Sequence, residues 1–310
     1  MKKLSTPIQS LKFNCGRNNL YIKRDDLIPV ALGGSKVRMQ NEFFKNISKN
    51  KNKVVVTAGH SSSNHCRLTA MFAKMHNIEC VIISQTEHKK KTFNSQIVNL
   101  CGAKIIETKK ADTKKTIDKV MSGLVEHHKN PRFIYGGGYD PEGVHGTRSC
   151  YKEITEYSKD TGTVFDYIFL ASGYGTTQAG LLVEQKAQNG REQIIGISTA
   201  RAKEQASEFI DNIITLYNER YREKASKGYS VQIADDYVGD GYGKYDESVK
   251  DAIKNLLREH GIALDPVYTG KAFAGMLKYI VMHDIKASNI LFLHTGSTPL
   301  FFDFLQKEQL

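Results

Sequence analysis

Short β-branched runs alternate with amphipathic stretches almost from one end of the chain to the other. The runs at 54–58, 80–84, 104–107, 132–135, 165–171, 193–199 and 289–295 read as strands. Between them, 64–76, 92–100, 113–128, 144–158, 177–189, 202–224, 247–260 and 271–284 repeat apolar residues at helical spacing. One further helix starts at Val37 and ends near Ile47. Strand–helix alternation predicts an α/β fold of mainly parallel sheets covered by helices on both faces. The four strand–helix units within 51–150 read as a small α/β domain, set into a larger one made of 1–50 and 151–310. Gly136-Gly137-Gly138, followed by Tyr139-Asp140-Pro141, is the expected crossing back.

Composition narrows the class. A chain of 310 residues, 40% hydrophobic and 25% charged, has the balance of a soluble globular protein with a sizeable core. No apolar run approaches the roughly 18 residues of a membrane span. Met1-Lys2-Lys3-Leu4-Ser5-Thr6-Pro7 has basic residues but no apolar stretch after them, unlike a secretory signal. The five cysteines, Cys15, Cys66, Cys80, Cys101 and Cys150, are odd in number and form no CxxC pair. That usage points to reduced thiols in a cytoplasm, and away from a disulfide scaffold or a structural zinc. The net charge of +11 comes partly from His88-Lys89-Lys90-Lys91, Lys109-Lys110 and Lys114-Lys115. With no aromatic residues interleaved, these runs read as a solvated face, not a specific nucleic-acid surface, although polyanion binding at low salt stays open.

The candidate chemistry starts at Gly33-Gly34-Ser35-Lys36. Read alone, this is a helix start with a solvated lysine. Three strand ends change that reading. They are Thr57-Ala58-Gly59-His60-Ser61-Ser62-Ser63-Asn64, Ala171-Ser172-Gly173-Tyr174-Gly175-Thr176-Thr177-Gln178 and His294-Thr295-Gly296-Ser297-Thr298-Pro299. Glycines and hydroxyls at strand-to-helix junctions offer N–H groups and a favourable field to an anion, and open parallel sheets bind ligands at their strands' carboxyl ends. Gln178 stands where a dinucleotide fingerprint needs Gly or Ala, and the strand at 193–199 lacks a terminal acid for a ribose. Arg201 leaves a 2′-phosphorylated dinucleotide short of strict exclusion. No GxxxxGK[ST] loop is present, and Ser63 breaks the GxSxG elbow. His60, His65 and Cys66 lack the spacing of metal ligands, so polar or core roles are expected for them and no metal site. A lysine, several hydroxyls and a nest for one phosphate suit pyridoxal 5′-phosphate (PLP), which needs an amine to bind covalently.

At these residues the chain resembles the fold-type-II PLP enzymes, in particular the D-cysteine desulfhydrase and 1-aminocyclopropane-1-carboxylate (ACC) deaminase group. The resemblance spans essentially the whole chain. It is carried by Lys23-Arg24-Asp25-Asp26-Leu27 with Gly33-Gly34-Ser35-Lys36-Val37-Arg38, then Ser63-Asn64-His65-Cys66-Arg67, then Ala171-Ser172-Gly173 through Thr177-Gln178-Ala179-Gly180. Asp240-Gly241-Tyr242-Gly243, Asp265-Pro266-Val267-Tyr268-Thr269-Gly270-Lys271 and the third glycine loop complete it. The resemblance implies two domains with PLP in the cleft between them, as in tryptophan synthase β, and a homodimer. It implies that Lys36 binds the cofactor, that Ser63 takes the substrate carboxylate, and that Asn64 meets the pyridine oxygen. The amides of Gly173, Tyr174, Gly175, Thr176 and Thr177 would hold the phosphate, Tyr242 and Tyr268 would flank substrate and ring, and Thr295 would meet the ring nitrogen.

Thr269 bears on the reaction. The deaminases of this group have an acid at this place and the desulfhydrases a threonine, so a weaker electron sink is implied. Elimination from a small, D-cysteine-like amino acid tolerates that better than opening a cyclopropane. The products implied are pyruvate, ammonia and sulfide. Three residues depart from the family pattern: Ser62 replaces a glutamine, Met39 a lysine, and Tyr174 a small residue. They leave open ACC deamination, racemisation and β-replacement. A non-catalytic PLP or amino-acid binder and a nucleotide-binding module also stay open.

Overall fold

The computed structural model describes residues 4–13, 15–88, 91–223 and 229–308. Lys89 and Lys90 of the basic run, and the end of the expected 202–224 helix at Lys224, lie outside the described residues. Strands β1 (Ile8–Leu11) and β2 (Asn19–Arg24) precede helix α1 (Ser35–Lys49). There follow β3 (Val54–Gly59), α2 (Asn64–Met75), β4 (Glu79–Gln85), α3 (Phe93–Leu100), β5 (Lys104–Thr108), α4 (Thr113–Glu126) and β6 (Pro131–Ile134). The chain continues through α5 (Pro141–Thr161), β7 (Tyr167–Ser172), α6 (Thr176–Ala187), β8 (Gln193–Ser198) and α7 (Lys203–Tyr221). It ends with β9 (Gln232–Ala234), α8 (Glu247–His260), α9 (Thr269–Met282), β10 (Asn289–His294) and α10 (Thr298–Glu308).

Two sheets result, both mainly parallel and flanked by helices. The larger runs β1-β2-β10-β7-β8-β9, with only β1 antiparallel. The smaller, β5-β4-β3-β6, is parallel throughout. Consecutive strand residues point to opposite faces, and both faces are buried, as parallel sheets require. Ile168 and Leu170 pack with Leu291, Leu293 and Ile194 under α5, α6 and α7. Phe169, between them, packs with Phe292, Ile195 and Ile197 on the other face, against α8, α9 and α10. In the smaller sheet, Val55 and Ile82 meet Val37, Phe43, Phe44 and Ile47 of α1 and Phe72 of α2, while Val54, Val56 and Ile83 face α4.

The hydrophobic pattern did not mark β1, β2, β9 or α10. Strand β2 ends in two cations, Lys23 and Arg24, which interrupt its apolar pattern, although Lys23 is wholly buried. Strand β9 has three residues, and α10 carries a proline in its first turn, directly after a glycine loop. The carboxyl ends of β2, β7, β8 and β10 come together at one end of the larger sheet, with β3 and β6 ending towards them. Among the described residues no helix is long and apolar enough to cross a membrane.

Candidate active site

Lys36 is the second residue of α1, and the turn before it sets its position. Ala31, Leu32, Gly33 and Gly34 have φ of 50°, 63°, 69° and 104°. A Cβ on Gly33 would overlap the Asp26 carbonyl, and one on Gly34 would sit 2.9 Å from the Thr295 carbonyl oxygen. Only glycine meets both demands. The Gly34 amide donates to the Asp25 carbonyl at 2.8 Å and the Ser35 amide to the Thr295 carbonyl at 3.0 Å. The turn is thereby stitched to the ends of β2 and β10. Gly34→Ala should cost about 1–3 kcal/mol of stability, seen as a lower denaturant midpoint with an unchanged slope.

A buried ion network fixes the same helix from below. Arg38 donates through Nε and Nη2 to both oxygens of Asp25, at 2.8 and 2.7 Å, and through Nη1 to Glu153 of α5 at 2.6 Å. Lys23 donates to Glu153 at 2.7 Å and to the hydroxyl and carbonyl of Thr6 at 2.6 and 2.9 Å. Lys23 and Asp25, which precede the lysine segment, are therefore part of its foundation.

The Lys36 amine lies 5.8 Å from the centroid of the Tyr268 ring. Burial lowers its pKa to about 8; nearby Asp265 opposes the shift and Arg67 adds to it. Arg67 is wholly buried in α2 and its Nη1 donates to the Ala31 carbonyl at 2.5 Å, holding the left-handed turn.

The loop after β7 has the features of an anion nest. Gly175 has φ of 77°, and α6 begins after it with no side-chain cap, so its first amides are unspent. Buried hydroxyls Ser172 Oγ, Thr176 Oγ1 and Thr199 Oγ1 have no partner among the described residues. Thr177 Oγ1 lies 3.4 Å from Ser35 Oγ, which joins the nest to the lysine turn. Uncommitted donors on a helix N-terminus suit one phosphate group.

The remaining expected residues are held in different ways. Tyr242 and Tyr268 share a hydrogen bond of 2.5 Å between their hydroxyls. Ser63 caps α2 by accepting from the Cys66 amide at 3.2 Å. Asn64 donates to Ser297 Oγ at 2.9 Å and accepts from Asn94 at 3.0 Å. The Thr295 carbonyl holds Ser35. Thr269 is committed elsewhere, since its hydroxyl donates to Asp265 Oδ2 at 2.8 Å and accepts from the Asp265 amide at 2.9 Å. Asp265 also takes the amides of Val267, Tyr268 and Thr269, so it caps α9. Burial pushes its carboxyl up, and these donors oppose that.

Sequence reasoning did not single out Arg67, Asn94, Asp265 or Ser297 as supports of the site. For Asp265 a signal existed, since an acid before proline with threonine four residues on suggests a helix cap. For Asn94 there was none. His65 is buried, with Nε2 3.1 Å from Thr57 Oγ1 and a pKa pulled down by burial to about 3. The Cys66 thiol is pushed up to about 11 by burial. His60 Nδ1 lies 2.9 Å from Ser62 Oγ, and its ring meets Tyr242 edge-on at 5.1 Å. Among the described residues no group of three potential ligands could hold a metal ion. Two cavities, of about 670 and 570 Å³, lie at the amino ends of the strands, near Tyr167 and Gln193 and near Asn18 and Ile285, away from this cluster.

Comparison with known proteins agrees with this chemistry. The chain is 32% identical over 296 residues to a Pyrococcus abyssi protein provisionally named 1-aminocyclopropane-1-carboxylate deaminase, covering 92% of this chain and 86% of the other. It is 29% identical over 299 residues to D-cysteine desulfhydrase of Serratia proteamaculans, covering 92% and 88%. The crystal structure of an ACC deaminase homologue superposes with a TM-score of 0.87 at 29% identity, over 98% of this chain and 92% of that one. The family described as pyridoxal-phosphate dependent enzyme matches residues 3–296, and with almost the whole chain inside that match, the protein belongs to this family.

Proposed function

We propose that this PLP-dependent enzyme, of the D-cysteine desulfhydrase and ACC deaminase group, is a carbon–sulfur lyase acting on D-cysteine or a close analogue. D-cysteine and water would give pyruvate, ammonia and hydrogen sulfide. The observation that carries the reading is the Lys36 amine, with its pKa near 8, 5.8 Å from the ring centroid of Tyr268, whose hydroxyl is hydrogen-bonded to that of Tyr242. Bound PLP supplies an electron sink conjugated with the substrate Cα. An amine of that pKa can take the Cα proton near neutral pH and return it. The tyrosine pair, a chain of two hydroxyls, can hand a proton to the departing sulfur. Ser63, at the N-terminus of α2, would receive the substrate carboxylate where the helix field favours it. Asn64, braced by Asn94 and Ser297, would hold the pyridine oxygen. The amides of Gly173, Tyr174, Gly175, Thr176 and Thr177 would hold the phosphate, and the Thr295 hydroxyl the ring nitrogen.

Thr269 favours elimination because it brings no carboxylate of its own to the ring, and its hydroxyl is committed to Asp265. A thiolate leaves with the bonding electrons, so the reaction asks less of the electron sink than ring opening does. The names of the Pyrococcus abyssi relative and of the superposed structure favour a second reading, ACC deamination. Incubation of the holoenzyme with D-cysteine, L-cysteine, β-chloro-D-alanine and ACC separates the two. Pyruvate from D-cysteine and β-chloro-D-alanine is expected. Turnover of ACC alone, to 2-oxobutanoate, would reverse the assignment, and no product from any of the four would remove the lyase reading.

The lowered basicity of Lys36 has its own test. In the cofactor-stripped protein, its labelling by an amine-selective reagent, followed residue by residue by mass spectrometry, should reach half its maximal rate near pH 8. An ordinary lysine reaches that point near a pH of about 10.4.

A further inference from the structure

We propose that Tyr174, Arg201 and Phe209 form a clasp that positions the phosphate loop, so that side chains as well as backbone set the affinity for PLP. The inference rests on the cofactor assignment but not on the choice of substrate.

Tyr174 is the one large residue in a loop of small ones. Its ring leaves the larger sheet and covers the glycine turn after β6, where a Cβ on Gly137 would lie 2.5 Å from Tyr174 Cδ2. A Cβ on neighbouring Gly136 would lie 3.5 Å from both the Tyr174 hydroxyl and the Ala58 carbonyl oxygen at the end of β3. One side chain therefore spans from the anion nest to the ends of two strands of the smaller sheet. That span needs the bare backbone of Gly136 and Gly137 beneath it.

Arg201, beyond the end of β8, grips two consecutive residues of the loop. Its guanidinium carbon lies 4.5 Å from the Tyr174 ring centroid and 4.6 Å from that of Phe209, and its Nη1 donates to the Gly173 carbonyl at 2.7 Å. The peptide joining Gly173 to Tyr174 is planar and trans, so anchoring its carbonyl on Arg201 aims the Tyr174 N–H the opposite way. Tyr139 buttresses the pair: its hydroxyl donates to the Phe209 carbonyl at 2.8 Å and its ring lies 5.4 Å from Phe209. Arg201 makes no ion pair with a carboxylate among the described residues. Its charge is thus held by two aromatic faces beside the nest and is not neutralised there. A small residue at 174 would leave one face, and the Gly173 carbonyl would lose a fixed partner.

The test compares Tyr174→Ala, Tyr174→Phe and Arg201→Gln as full-length chains stripped of cofactor. PLP dissociation constants are measured by fluorescence titration, and thermal midpoints are recorded without PLP. Tyr174→Ala and Arg201→Gln should each weaken PLP binding about fivefold, the scale of a partly exposed cation–π contact. Tyr174→Phe keeps the aromatic face and should stay within about twofold of wild type. A purely structural role would lower the PLP-free midpoint without this split between phenylalanine and alanine. Wild-type affinity in Tyr174→Ala, or equal losses in Tyr174→Phe and Tyr174→Ala, would overturn the clasp. If Tyr174→Ala fails to fold, Arg201→Gln decides alone, and wild-type affinity in that variant rejects the proposal. Wild-type protein that binds no PLP would remove the cofactor assignment and the clasp with it.

Discussion

Lys36→Ala is expected to reduce turnover of the preferred amino acid by about 10³-fold or more while leaving the thermal midpoint of the cofactor-free protein unchanged or higher. Loss of a positioned general base alone removes about 10²- to 10⁴-fold, and this amine is also the group expected to anchor the cofactor. Stability moves the other way because the amine is desolvated: burial is the largest influence on its pKa. A charge held against burial costs free energy that alanine does not. The measurements are kcat/KM, the absorption band of bound PLP and the PLP-free midpoint. Added methylamine should restore part of the activity, since the missing group is an amine and the surrounding cavity remains. A variant with wild-type turnover would place the base elsewhere in the cleft. A variant with lost activity and a collapsed midpoint would mean that Lys36 is a structural residue.

What was legible in the sequence depended on how local its cause was. Two glycines before Lys36 announce positive φ, and the turn has it at Gly33 and Gly34. Three strand ends rich in glycine and hydroxyls announce an anion site, because both demands are met within eight residues. Strand β2 was not legible, because Lys23 looks solvated until Glu153, 130 positions away, is brought to its amine. Thr269 was only partly legible, although its partner is local. Its identity after Tyr268 could be read, but not that its hydroxyl is consumed by Asp265 four residues earlier. Tyr174 stood out as too large for its loop, yet where its ring goes depends on Gly136, Gly137, Arg201 and Phe209 together. Pattern thus pointed to a candidate lysine and a candidate anion loop, while most of the contacts that hold them came from segments remote in the chain.

The second large effect expected is at Arg38. Arg38→Met should lower the unfolding free energy at pH 7 by about 3–5 kcal/mol, the cost of stripping one partner from a buried ion cluster. Lys23 and Arg38 balance Asp25 and Glu153, and all four are buried at 6% exposure or less. Methionine has a similar reach but no donors, so the two carboxylates keep only Lys23 and Thr6. An exposed pair such as Lys114–Asp118, also 2.8 Å apart, is the control: Lys114→Met should change stability by less than about 0.5 kcal/mol. The pH dependence follows from Asp25. Burial raises its pKa, but Arg38 and Lys23 outweigh that and hold it below the ordinary value. Its contribution to wild-type stability is therefore full above a pH of about 4 and is lost as pH falls through the lowered folded value. Without Arg38, burial dominates and the folded pKa moves above the unfolded one, so acid relieves the variant instead. The stability gap between wild type and Arg38→Met should be widest near pH 7 and narrow towards pH 4. A gap below about 1 kcal/mol at pH 7, or one that widens in acid, would refute the account. Since Arg38 lies half a turn beyond Lys36 on α1, the variant should also bind PLP more weakly at temperatures where it is still folded. The network then serves the chemistry by fixing where the first turn of that helix lies.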